Sequence, residues 1–376
     1  MIYSFILVLV LGYLAGLLFS KIKLPKIIGM ILIGGVLGYF SILSESFLDI
    51  SSYLRKIALI IILTRAGLSV NFKQIKQIGR PAILMCFIPA LFEIIATTIF
   101  APLLLPINYL EALLLGSVLA AVSPAIIVPR MIKYKEQYES NKPNLMLVGS
   151  SLDDIFVMII FYSVLGAFTS GGINVVEIPV SIVLGVVIGV IIGFLFKVLF
   201  SKVKVHSIVV VGITLITSIL LTLLEEVIYY NSLISIILIG TFLISNIEIN
   251  NIKNNYNKLW IVFEIILFVL VGAAVDFNVA LSYGLPSVVL IIIILFFRSL
   301  GVFCCLIKTN TSKKETLFCI ISYLPKATVQ ASIGAIALEN NLSCGPVILS
   351  VAVLSILITA PLGAILLDTQ NKKLLQ

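Results

Sequence analysis

The sequence predicts an all-α polytopic membrane protein of about 13 transmembrane helices, built as two inverted six-helix repeats with two crossing broken helices. Three observations carry this prediction. The chain is too poor in charge to fold in water. Its apolar runs are separated by loops of alternating charge. Two of those runs hold a proline in their middle, at matching places in the chain.

Of the 376 residues, 61% are hydrophobic and 11% charged, and the mean hydropathy is +1.22. A soluble globular chain carries about 25% charged residues, so most of this one must sit in lipid. A spanning helix needs roughly 20 mostly apolar residues. Apolar runs lie near residues 2–19, 27–40, 54–69, 80–104, 108–129, 145–169, 175–200, 206–228, 231–247, 258–275, 286–306, 316–338 and 344–367. Ten-residue segments of strand-like alternation are absent, which argues against a barrel. The first run, MIYSFILVLVLGYLAGLLFSK, has no basic leader and no small-residue cleavage site, so it reads as a retained span.

The net charge of +8 matters through its distribution. Lys21, Lys23 and Lys26 follow span one, Lys73, Lys76 and Arg80 span three, and Arg130, Lys133, Lys135 and Lys142 span five. Lys202 and Lys204 follow span seven, Lys253 and Lys258 span nine, Lys308, Lys313 and Lys314 span eleven, and Lys372 and Lys373 the last. The alternate loops carry Glu45, Asp49, Glu177, Glu225, Glu226, Asp276 and Glu339, with Arg55 and Lys56 as the basic exception. The positive-inside rule then puts the N-terminus outside and the C-terminus in the cytoplasm of a cell membrane. Basic charge here sets topology in lipid and is no sign of a nucleic-acid partner.

Several function classes drop out. The longest hydrophilic stretch, PRMIKYKEQYESNKPN, is too short for a soluble domain, and no Walker or Gly-rich phosphate loop occurs. No nucleotide partner is expected, so any work is gradient-driven. Cys86, Cys304, Cys305, Cys319 and Cys344 lie mostly within apolar runs at no metal-ligand spacing, and read as buried small apolar residues. The one histidine, His206, sits in a basic loop. No triad is available for a membrane hydrolase, and the chain is not expected to be an enzyme or to need a cofactor.

Charge inside the spans is the informative part. A charged side chain at mid-bilayer costs roughly 2.5–3.5 kcal/mol even on the lenient insertion scale, and such residues face a partner or mark an ion path. Glu93, Asp153, Asp154, Glu264, Arg298 and Lys326 are of this kind. A lone acid such as Glu264 is read equally as structural or functional. Asp153 and Asp154 are adjacent, and neighbours on a helix point about 100° apart, so one partner cannot neutralise both. Ser150 and Ser151 lie one turn before Asp154 on the same face. Their hydroxyls, with a carboxylate, suit a small hard cation; bonding back to helix carbonyls is the alternative. A buried carboxyl beside a like charge can hold either a proton or a cation, which is the minimum chemistry for exchange.

Span five, ALLLGSVLAAVSPAIIVPRM, should break near Ser123–Pro124, because proline lacks a backbone donor and clashes with the preceding turn. Span twelve, CIISYLPKATVQASIGAIAL, holds Pro325 and Lys326 at its middle. A broken helix at membrane depth must line a cavity or be buried in protein. Each is the fifth member of a six-span unit if span seven is a link, and an offset of seven spans inverts one unit relative to the other. Paired broken helices in inverted repeats point to a secondary transporter with its site at the crossing.

These residues carry a family resemblance. GSSLDDIF resembles the two-aspartate helix of the monovalent cation:proton antiporter superfamily, and AAVSPAIIVPRM and YLPKATVQASIGA resemble the unwound helices of its NHA-type sodium/proton exchangers. LTRAGLSV and LFVLVGAAVDF fit the same pattern, and the resemblance runs through nearly the whole chain. It implies the sodium/proton antiporter fold, a homodimer in membrane lipid, a role in pH homeostasis, and an ion-carrying core that moves like an elevator. Carried over by position, residues 80–169 and 284–368 form that core, 1–70 and 205–276 the dimerisation scaffold, and 175–200 a linker helix, all within one transporter domain over 1–376. Asp154 is then the carboxylate that binds cation and proton in turn, with Asp153 beside it. Ser123 and Ser150 become secondary oxygen ligands, and Lys326 offsets the helix-end dipoles.

Many two-aspartate members of the superfamily place a lysine where this chain has LFFRSLGVF, and Arg298 cannot deprotonate at ordinary pH. The resemblance to NHA-type exchangers implies Glu93 as its partner, and hence a structural ion pair with electroneutral exchange. Glu264 has no assigned counterpart. The function implied is Na⁺ or Li⁺ exchange for H⁺. K⁺/H⁺ exchange is the alternative within transport, and a sodium-coupled solute symporter or an ion-sensing receptor on the same fold is the alternative outside it.

Overall fold

A computed structural model describes residues 1–69, 79–169, 177–202, 205–225, 227–228, 230–244 and 248–375. The elements assigned among them are helices: α1 (Ile2–Lys21), α2 (Lys26–Tyr39), α3 (Glu45–Leu48), α4 (Ser51–Ser69), α5 (Arg80–Met85) and α6 (Ile88–Leu104). Next come α7 (Tyr109–Leu119), α8 (Pro124–Gln137), α9 (Lys142–Thr169), α10 (Glu177–Lys202), α11 (Ser207–Leu224) and α12 (Ser232–Leu243). The chain continues through α13 (Ile249–Ala273), α14 (Phe277–Ser282), α15 (Gly284–Leu306), α16 (Lys313–Ser322), α17 (Thr328–Glu339) and α18 (Gly345–Leu375). By length and composition alone, seven stretches among the described residues could cross a bilayer unaided. Others, such as α2, α7 and α12, are shorter apolar helices.

The helices follow the apolar runs in order, with three local differences. Residues 80–104 form two helices, α5 and α6, because Pro89 enters at the first turn of α6 and the chain turns at Cys86–Phe87. α13 begins well before its apolar run, with the polar stretch INNIKNN already helical. The short helices α3 and α14 occupy loops too brief to show a period in sequence. Lys73, Lys76, Lys204 and Glu226, used above for topology, lie outside the described residues.

The two broken spans are built alike. Each first half opens on a capping box, Asn108 with Glu111 for α7 and Ser312 with Glu315 for α16. In a box of this kind the cap side chain and the third-residue carboxylate each satisfy a free backbone donor. α7 then stops at Leu119, since the ring of Pro124 would strike the carbonyl of Ala120 four residues earlier. α8 restarts on Pro124, whose missing N–H costs nothing at a first helical position. In the second span α16 ends at Ser322, Pro325 lies in the unwound stretch, and α17 starts at Thr328.

By contacts the chain divides into two compact units. Unit 1 holds Met1–Asp49, Asn71–Phe161 and Phe268–Gln376. In it α6 packs on both α7 and α15, and α18 packs on α16 and α17. A hydrophobic cluster that includes Val122, Ile127, Met131, Phe318, Tyr323 and Leu367 lies around α8 and α16. Unit 2 holds Ile50–Val70 and Tyr162–Leu267, and in it α12 packs on α10 and α4. The segment 1–70, grouped from sequence with 205–276, is divided, with residues 1–49 in unit 1 and 50–70 in unit 2.

Candidate functional site

The two chain breaks meet inside unit 1. The N–H of Ser123 donates to the carbonyl of Pro325 at 2.9 Å, so the unwound stretches Ala120–Ser123 and Tyr323–Ala327 touch backbone to backbone. The breaks leave helix-end carbonyls without helical partners, and these are buried where water cannot serve them. Two side chains take them. Arg298, from the middle of α15, donates its Nε to the carbonyl of Tyr323 at 2.7 Å and its Nη1 to the carbonyl of Ala120. Gln330, in the first turn of α17, donates its Nε2 to the carbonyls of Ala121 and, at 3.4 Å, Leu119.

The second break is also held from α18. The N–H of Lys326 donates to Thr359 Oγ1 at 2.9 Å. Gly363 lies a turn further along that helix, and a Cβ there would collide with the ring of Pro325. On α9, a Cβ on Gly149 would strike the Tyr323 hydroxyl. Both glycines are needed for close approach.

The buried charges are arranged around this crossing. Arg298 Nη1 lies 2.6 Å from Glu93 Oε2, and Arg298 Nη2 lies 3.2 Å from Asp153 Oδ2. Lys326 Nζ is 2.6 Å from the same Glu93 oxygen. The guanidinium also stands 5.3 Å above the Tyr323 ring. Asp153 Oδ2 accepts a further bond from the N–H of Val122 at 2.9 Å. Glu93, Asp153 and Arg298 are each 0% exposed and Lys326 1%, so these charges are held by one another.

Asp154 differs from all of them. Its side chain is 5% exposed, yet among the described residues nothing bonds its buried Oδ1. Asp153 Oδ1, Ser123 Oγ, Glu93 Oε1 and Thr328 Oγ1 are likewise buried and unpartnered. Buried polar groups are normally bonded, and each exception calls for a reason. Asn144 Oδ1 and Ser350 Oγ are the other exceptions among the described residues, but these five gather at one crossing, and they are carboxylate and hydroxyl oxygens. That donor set fits a hard monovalent or divalent cation and does not fit a soft metal.

The structure therefore brings Asp153, Ser123, Pro325, Arg298, Glu93 and Lys326 into one connected site, with Asp154 next in the chain to Asp153 and Pro124 opening α8 beside Ser123. Ser150 is fully buried and its Oγ donates to the Leu147 carbonyl at 3.4 Å, the back-bonded arrangement. The Ser151 side chain lies outside the described residues. Two details depart from the sequence reading. Arg298 pairs with Glu93 and with Asp153 at once, so Asp153 is not released by the Glu93 pair. The helix-end carbonyls are met by Arg298 and Gln330, whereas the Lys326 ammonium goes to Glu93. Gln330, Tyr323, Thr328 and Thr359 were not legible as site residues. A polar side chain within an apolar span was the signal available for each.

Glu264 lies in unit 2, where it is 3% exposed. Arg65 in the same unit donates to Asn257 Oδ1 at 3.0 Å and stands 5.2 Å above the Trp260 ring.

A family model described as sodium/hydrogen exchanger, transmembrane, matches residues 6–368. Among curated relatives, sodium/hydrogen exchanger 9B2 of Mus musculus is 30% identical over 393 residues, covering 96% of this chain and 71% of the relative. Sodium/hydrogen exchanger 9B1 of Homo sapiens is 31% identical over 388 residues, covering 94% of this chain and 73% of the relative. The solved structure of the sodium proton antiporter MjNhaP1 from Methanocaldococcus jannaschii at pH 8 matches with a TM-score of 0.85 at 20% identity, covering 99% of this chain and 97% of that one. At that identity the match speaks for a shared fold.

Proposed function

The chain belongs to the sodium/hydrogen exchanger family, and from that premise we propose that it exchanges Na⁺ or Li⁺ for H⁺ at Asp154. It is a multi-pass membrane protein and a cation/proton antiporter. The single observation that carries the assignment to Asp154 is its buried Oδ1, which no described residue bonds, beside a cluster in which Glu93 and Asp153 are each ion-paired through one oxygen. A carboxylate outside the ion pairs of the cluster can trade a cation for a proton without breaking one of them. Asp153 Oδ1 and Ser123 Oγ would supply further oxygens, and Ser150 a lone pair from the turn below.

The charge count favours one-for-one, electroneutral exchange. Glu93 and Asp153 are balanced by Arg298 and Lys326, which leaves Asp154, among the described acids at the crossing, without a cation paired to it. It then carries either one Na⁺ or one H⁺ per crossing. The wider reading is about thirteen spans in two inverted six-span repeats, with the N-terminus outside and the C-terminus in the cytoplasm of the cell membrane. A core of residues 80–169 and 284–368 moves as an elevator against a dimerisation scaffold in a homodimer.

Proteoliposomes test this directly. Proton release driven by Na⁺ or Li⁺ should exceed that driven by K⁺ at equal concentration, and the Na⁺ flux should ignore an imposed membrane potential. Faster exchange with K⁺ would make the chain a K⁺/H⁺ antiporter, a potential-dependent flux would end the electroneutral reading, and Na⁺ binding without proton release would point to a receptor.

A further inference from the structure

We infer that Gln330 is a positioning residue for the transported cation: its side-chain amide fixes the Ala121–Val122 peptide and, through that peptide's N–H, one oxygen of Asp153. The inference rests on reading the crossing as the cation site.

A carboxamide presents donors and an acceptor at one planar end, and Gln330 uses both. It is 0% exposed. Its Oε1 accepts from the N–H of Ala327 at 2.9 Å, capping α17 from the third helical position. Its Nε2 reaches the other broken span and donates to Ala121. The Ala121 carbonyl and the Val122 N–H belong to one rigid, planar peptide unit. Holding the carbonyl therefore holds the N–H, and that N–H lies 2.9 Å from Asp153 Oδ2.

The alternative for Asp153 is that Arg298 alone places it. Yet Arg298 divides its donors among Tyr323, Ala120, Glu93 and Asp153, and its contact with Asp153, at 3.2 Å, is longer than the 2.6 Å contact with Glu93. The Val122 N–H is the shorter grip on that carboxylate. With Oδ2 held by both, Asp153 Oδ1 stays unbonded among the described residues. Without the Gln330 donor, the Ala121 carbonyl would be buried in an unwound stretch lacking its partner, and rotation of the peptide to find another would carry the N–H off Asp153. Residues that orient a cation's ligands typically change affinity by about 10–100-fold when altered.

Two variants separate the ends of the amide. Gln330→Glu keeps an acceptor for Ala327 and loses the donor to Ala121 once ionised, so it is assayed across a pH series up to alkaline pH, whereas Gln330→Met loses both at every pH. Each is purified as the full chain and reconstituted, with KM and kcat for Na⁺ measured by proton flux and the Tm measured with and without Na⁺. The expected result is a KM raised about tenfold in both variants, with kcat within about threefold and a Na⁺-free Tm that still reports a folded protein. A wild-type KM in Gln330→Glu would reduce Gln330 to a cap of α17 and overturn the inference, as would an unchanged KM in Gln330→Met. If Gln330→Met does not fold, Gln330→Glu decides alone; failure of both to fold would assign Gln330 to the fold and overturn the inference too. Asp154→Asn is measured alongside. If it keeps the full Na⁺-induced rise in Tm, the site reading itself fails, and that outcome is distinct from any result at Gln330.

Discussion

The crossing in unit 1 and the helix bundle of unit 2 both bury polar side chains in apolar surroundings, and they treat them in opposite ways. In unit 2 the polar atoms are consumed by neighbours. Thr214 Oγ1 and the Tyr256 hydroxyl lie 2.6 Å apart, Ser235 Oγ donates to the Gly185 carbonyl at 2.7 Å, and Arg65 donates to Asn257. The buried side-chain atoms that lack a partner among the described residues all belong to unit 1, and most are at the crossing. A bundle whose hydroxyls close on one another has settled its own polar groups. One that leaves oxygens open beside a paired charge cluster is prepared for a cation from outside.

The sharpest way to break this comparison is to remove the arginine from each region. Arg298→Leu leaves Glu93 and Asp153 buried, with the Lys326 ammonium reaching one of them, and should cost about 3–5 kcal/mol, as loss of one partner from a buried pair does. The loss should appear as a large fall in Tm and in monodisperse yield. Arg65→Leu, at a half-buried site where the guanidinium bonds Asn257 and also feels the Glu264 charge, should cost less, because an ion pair with one half-exposed member is partly screened by its surroundings. Equal losses would mean the two regions are not differently built.

Next in size is Asp154→Asn. Exchange should fall by at least about a hundredfold, the upper end of what supporting residues around a bound cation contribute. Its Tm should not fall below wild type, since no ion pair or hydrogen bond to a described residue is lost at its Oδ1 and burying a charge without one is unfavourable. A variant that still exchanged at near wild-type rate would remove Asp154 from the site. The smallest effect belongs to Tyr256→Phe in unit 2, which should cost about 1 kcal/mol for the hydrogen bond to Thr214 and leave the KM for Na⁺ unchanged. A shift in that KM would show the bundle contributing to the site.

Much of the site could be read before any coordinates, for reasons that are local. Pro124 and Pro325 disfavour helix in the turn before them, and both breaks lie there, although Pro102, Pro129 and Pro361 sit inside continuous helices. Asp153, Asp154, Glu93, Arg298 and Lys326 stand out because charge within an apolar span is costly in any fold. The interruption at Cys86–Phe87 and the early start of α13 were less visible, because hydropathy reports where a chain is apolar and says little about where its helix begins. Gln330 was hidden for another reason. An uncharged amide carries no insertion penalty large enough to mark it, and its partners lie in a different span.

The sequence by itself determined the membrane class, the two matched breaks and the identity of the buried charges, since each follows from a residue and its immediate neighbours. Only the tertiary structure decided how the charges are shared. Arg298 serves Glu93 and Asp153 together, Lys326 joins Glu93, and the Asp154 Oδ1 is left without a partner among the described residues. Those pairings join residues far apart in the chain, and electrostatics of this range depends on distances that folding alone creates.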